Sequence, residues 1–129
     1  MRKILFRGKH VGTSEWIYGN YAPVCFGSFP CRPAIVPVSD GSWEPIEIIV
    51  DSLCMSTGLV DCYGNIIFEG DIIYSDICKS KTVVFDEEVA AFCLHDHSIV
   101  SPQYLGRYNT EHFEIIGNIY DNPELIEVG

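Results

Sequence analysis

Apolar positions in this chain alternate with polar ones over short runs and rarely recur at helical spacing. Few segments sustain an i, i+3, i+4, i+7 pattern, whereas β-branched and aromatic residues gather between Gly, Pro, Asn and Asp. The pattern predicts strands over Lys3–Arg7 and Glu15–Tyr18, joined at Gly12-Thr13-Ser14 into a hairpin. Residues 20–45 carry Pro23, Pro30, Pro33, Pro37 and Pro45. Proline fixes φ and removes an amide donor, so this stretch is expected to be an irregular excursion. Strand character returns over Pro45–Leu53.

The next segment is the richest in local signals. Gly64-Asn65 predicts a tight turn, Ile66-Ile67-Phe68 a buried strand, and Glu69-Gly70-Asp71 a second turn leading into the strand Asp71–Tyr74. Thr82–Phe85 and Val89–Leu94 read as a hairpin around the acidic turn Asp86-Glu87-Glu88. His95–Gly106 is polar, contains Pro102 and reads as a loop. Glu111–Tyr120 reads as the last strand, with a bulge or bend at Gly117-Asn118. Asn122 and Pro123 stand as N-cap and first residue of a terminal helical turn. No repeat or low-complexity tract is present. Short strands with Gly-rich turns predict an all-β chain. The expected architecture is a small SH3-type barrel or roll over 53–125, with the hairpin and Pro-rich excursion of 1–52 as an extension.

Composition agrees with one ordinary domain: 129 residues, 47% apolar. The formal charge is -10, which argues against coating nucleic acid, since that requires basic side chains on phosphates. Residues 65–129 carry most of the imbalance. This predicts an acidic face suited to a basic partner protein. The N-terminus has no apolar run of signal-peptide length, and no stretch reaches a membrane span. A cytoplasmic, membrane-free protein is therefore expected.

Candidate chemistry is sparse. The six cysteines (Cys25, Cys31, Cys54, Cys62, Cys78, Cys93) contain no Cys-x-x-Cys pair and are expected to be free thiols. Cys25 and Cys31 lack a nearby base and are expected as core or loop thiols rather than nucleophiles. His95 and His97 would share one face of a strand, and with His112, Cys93 or Asp86 they offer a metal or hydrolase reading. No fixed spacing supports it, and a polar loop accounts for the pattern. Glu69 and Asp71 are paired carboxylates whose simpler role is to accept amides of their own turn. Trp43, in a Gly-Ser-Trp-Glu-Pro loop, is the aromatic expected to be exposed. With Glu69 and Asp71 it is the expected partner contact. No catalytic constellation or cofactor motif is present, so a binding or self-assembling module is expected, with homo-oligomers plausible. A nucleic-acid regulator using Arg2, Lys3, Arg7 and Lys9 is the alternative.

Three blocks resemble the YopX family of tailed-phage and prophage proteins. The first is Ile4–Phe6-Arg7 followed by Trp16 and Tyr18. The second is Thr57-Gly58-Leu59, Asp61, Gly64, then Ile67-Phe68-Glu69-Gly70-Asp71-Ile72. The third is Ile116-Gly117-Asn118-Ile119-Tyr120-Asp121-Asn122-Pro123-Glu124-Leu125. Gly8-Lys9 and Cys62-Tyr63 depart from the pattern, and residues 20–45 and 95–110 match none of it. The resemblance implies a phage or prophage origin and a small β fold of SH3 type. It implies no defined activity.

Overall fold

A computed structural model describes residues 4–25, 31–38, 41, 43–95 and 103–126. The chain is mainly β and falls into two compact units, Met1–Ser56 and Thr57–Gly129.

The first unit is an antiparallel meander. Strands β1 (Phe6–Lys9), β2 (Trp16–Tyr21), β3 (Ala34–Pro37) and β4 (Ile46–Glu47) pair in succession, and β1 also pairs with the start of β5 (Cys54–Val60). The hairpin of β1 and β2 forms around the expected turn, but Ile4 and Leu5 stand outside β1, which begins at Phe6; Lys3 lies outside the described residues. Strand β3 corrects the expectation for residues 20–45. Pro33 precedes the strand and Pro37 ends it, so the prolines bracket the ladder, and Ile35 turns fully into the core. Only two residues of Pro45–Leu53 form a strand. An isolated bridge at Ile48 and a 3₁₀ turn, Val50–Ser52, follow. The Ser52 hydroxyl accepts the Lys9 amide at 2.7 Å and donates to the Ile49 carbonyl at 2.6 Å, which fixes that turn against β1.

Cys25 and Cys31 are joined as a disulfide, not left as free thiols. Val24 and Arg32 form an antiparallel bridge, exchanging amide hydrogen bonds of 2.9 and 2.7 Å. The next residues inward, Cys25 and Cys31, are therefore opposed, with Cα atoms 4.2 Å apart.

The second unit holds the rest of β5, the short strand β6 (Ile66–Phe68), and a five-stranded antiparallel sheet. That sheet contains β7 (Asp71–Ser75), β8 (Lys79–Asp86), β9 (Ala91–His95), β10 (Gln103–Tyr104) and β11 (Glu114–Asn118), in the order β10-β9-β8-β7-β11. The β8–β9 hairpin follows the sequence pattern, whereas β8 begins at Lys79 rather than Thr82 and its hairpin with β7 has no counterpart in that pattern. The described part of the expected 95–106 loop contains β10 and the 3₁₀ turn Leu105–Arg107. Ile67, Ile73, Val83, Leu94, Leu105 and Phe113 make the core, with Leu59, Phe92 and Ile115 packed against it. In β11 the register with β7 shifts between Ile115 and Gly117, leaving Ile116 as the extra residue of a bulge. Among the described residues no helix is long and apolar enough to cross a membrane.

Candidate functional site

The residues that make up the three sequence blocks lie in backbone-holding positions. In β5 the Thr57 hydroxyl accepts the Leu59 amide at 3.1 Å and donates to the Ile67 carbonyl at 2.9 Å. Gly58, at φ 83°, supplies the left-handed residue between them. The strand is thereby kinked at Thr57-Gly58-Leu59 and latched to β6.

Asp61 is 2% exposed. Its Oδ1 accepts the amides of Tyr63 and Asn65, both at 2.9 Å, and its Oδ2 accepts the Ile115 amide at 3.2 Å. Burial by itself would raise the carboxyl pKa. The amides of Ile115, Asn65 and Tyr63 and the Asn65 side chain outweigh it and hold the group below its usual value of 3.8. The turn after Asp61 is the expected one, with Gly64 also left-handed.

Asp71 is likewise 2% exposed, and its Oδ2 accepts the Phe68 amide at 2.8 Å across the Glu69-Gly70 turn. Gly70 donates to the Val83 carbonyl at 2.7 Å and accepts the Ile119 amide at 2.9 Å. Asp71 is thus turned inward and presents no carboxylate to a partner, whereas Glu69 is half-buried on the same turn. At the end of β11, Asn118 Oδ1 accepts the amides of Tyr120 and Asp121. Asn122 Oδ1 accepts the Asn118 amide at 3.2 Å, so this side chain reaches back to β11 instead of capping the 3₁₀ turn Pro123–Leu125. In β1, Phe6 lies 5.7 Å from the Tyr21 ring, and the Arg7 guanidinium sits 4.6 Å over Trp16 with Lys9 at 5.3 Å.

Trp43 is 90% exposed. His95 ends β9 on the surface, and His112 is exposed on the 3₁₀ turn Thr110–His112. His97 lies outside the described residues. Among the described residues no three His, Cys, Asp or Glu side chains are grouped to hold a metal. The thiols with shifted pKa values move away from reactivity. Cys62 is raised by desolvation and by Asp61 and Glu114, and Cys93 by burial and Asp86.

The second unit also contains a cavity of about 350 Å³ that the sequence did not announce. Turn residues 75–78 line one side, and Tyr108, Asn109, His112 and Phe113 line the other. Only His112 had been singled out. The missed signal was Ile77, an aliphatic residue inside the polar turn Ser75–Cys78.

The two units differ sharply in charge. Residues 1–56 hold five basic and five acidic side chains, whereas residues 57–129 hold three basic and thirteen acidic, net -10. One end of the five-stranded sheet gathers the start of β7, the end of β8, the start of β9 and the end of β11. The turns there carry Glu69, Asp86, Glu87, Glu88 and Asp121.

The family model described as "YopX protein" matches residues 6–127. A crystal structure of protein EF1440 from Enterococcus faecalis is similar, with a TM-score of 0.61 and 25% identity. The match covers 98% of this chain and 100% of that one. No curated protein matches the chain.

Proposed function

The chain belongs to the YopX family, and on that footing we propose that it is a phage or prophage accessory protein that acts by binding, without catalysis. Its partner is a phage or host protein with a basic surface, met in the host cytoplasm. The observation that carries this reading is the charge partition, which puts the whole net charge of -10 on residues 57–129. Such a surface attracts basic proteins and repels nucleic acid. In this reading the second unit works as an SH3-type barrel, a class that takes peptides through exposed aromatics and acidic loops. The half-buried Glu69 is the assigned contact on this unit, and the exposed Trp43 is assigned separately as a contact on the first unit.

Affinity purification of the tagged full chain from bacterial cells, with and without phage, tests the proposal. The expected result is one stoichiometric partner with a basic surface, released as salt is raised. A chain that stays monomeric and recovers only itself overturns it.

A further inference from the structure

The cavity between the β7–β8 turn and the segment leading into β11 has the features of a side-chain socket. Its floor is apolar: Phe113 is buried, and its ring meets Tyr108 edge-on at 6.1 Å. Its lip is Ile77, 93% exposed at the tip of a turn whose shape is fixed by the Ser75 hydroxyl accepting the Cys78 amide at 2.9 Å. Polar groups converge from both walls. Asp76 comes from the turn, accepting the Tyr74 hydroxyl at 3.3 Å through Oδ1, and Asn109 and His112 come from the opposite side.

Charge selects the occupant. Among the described residues that line the cavity, Asp76 is the one carboxylate, and there is no lysine or arginine. A volume of about 350 Å³ is at the small end for ligand pockets and suits one long side chain with its backbone. We propose that this cavity receives an arginine side chain of a partner protein, its methylenes on Ile77 and Tyr108 and its guanidinium on Asp76. Arginine joins an apolar stem to a planar cation that carboxylates accept in forked geometry. This inference rests on the binding reading above and names the chemistry of the partner's anchor.

The test is an NMR titration of the ¹⁵N-labelled full chain with three probes: N-acetyl-arginine methylamide, its neutral citrulline isostere, and N-acetyl-leucine methylamide. The arginine probe is expected to shift amides of residues 75–78 and 108–113 and to bind at least ten-fold more tightly than the other two. Asp76→Asn, an exposed change, is expected to abolish that preference, and Ile77→Ala to weaken the arginine probe. Equal or tighter binding of citrulline or leucine overturns the proposal, as does a response elsewhere in the chain. Shifts of these same amides on concentrating the protein alone would assign the cavity to a second copy and also overturn it. The two readings fail separately. A partner captured equally by wild type and Asp76→Asn removes the socket and leaves the binding function. Arginine-selective titration with no partner captured removes the binding function and leaves the socket.

Discussion

Asp61 accepts the Ile115 amide through Oδ2 at 3.2 Å, joining two positions separated by 54 residues. The same carboxylate organises its own turn through Tyr63 and Asn65, so one buried side chain sets a local bend and a long-range register together. The neighbouring Cys62 amide adds a bond to the Phe113 carbonyl at 2.8 Å.

Replacing Asp61 with Ala would leave three amides without their acceptor. A loss of about 3 kcal/mol in unfolding free energy is expected, because three part-buried donors lose a charged acceptor. Asp61→Asn keeps one carbonyl oxygen and should lose less. Urea unfolding of the three proteins checks the order, and equal midpoints would disprove it.

The same carboxylate sets part of the acid response. Its pKa in the folded chain lies below the usual 3.8, so its stabilising contribution is fully present above that value. The contribution falls away as pH drops from 3.8 through the lower folded value. Unfolding followed between pH 5 and pH 2 should show a shallower acid loss in Asp61→Asn than in wild type.

Gly117→Ala is a steric test. A Cβ there would stand 2.5 Å from Asn122 Oδ1 and 3.0 Å from Asn122 Cβ. The substitution is expected to cost about 2 kcal/mol. In an Asn122→Gly background the obstruction is gone and the cost should approach zero. A double-mutant cycle with additive effects would refute the account.

The disulfide makes a countable prediction. Thiol titration of the unfolded, unreduced chain should find Cys54, Cys62, Cys78 and Cys93 and miss Cys25 and Cys31. The bridge closes a loop of sequence separation 6. On the chain-entropy account its reduction removes about 2 kcal/mol of stability. Thermal melts with and without reductant measure that loss.

Trp43→Ala should leave stability within about 0.5 kcal/mol of wild type, as expected for a side chain with little to pack against. It should nonetheless weaken capture of the partner. A destabilised variant would show that Trp43 supports the fold.

The sequence made the second unit far more legible than the first. Between Gly64 and Phe85, turn residues needing left-handed backbone alternate with apolar runs that fit a half-buried strand, so local chemistry and tertiary pairing agree. The bulge in β11 was visible from Gly117-Asn118 for the same reason. Strand β3 was not, because Pro33 and Pro37 hide four residues whose pairing comes from distant β2. Strand β5 was not legible either, since Thr57 acts through Ile67, ten residues away. At the site level, Trp43 could be placed on the surface from its loop composition. The inward turn of Asp71 could not, because carboxylates flanking a glycine serve a solvated turn and a buried one equally well. The cavity was invisible because its two walls, residues 75–78 and 108–113, are brought together only by the pairing of β7 with β11.

The uneven division of charge also governs how copies of this protein meet one another. Two molecules approaching through residues 57–129 bring together segments of formal charge -10 each, whereas residues 1–56 are electrically balanced. At physiological ionic strength that repulsion reaches only about 8 Å, short enough to spare distant encounters and strong enough to penalise contact. Contact through residues 1–56 carries no such penalty.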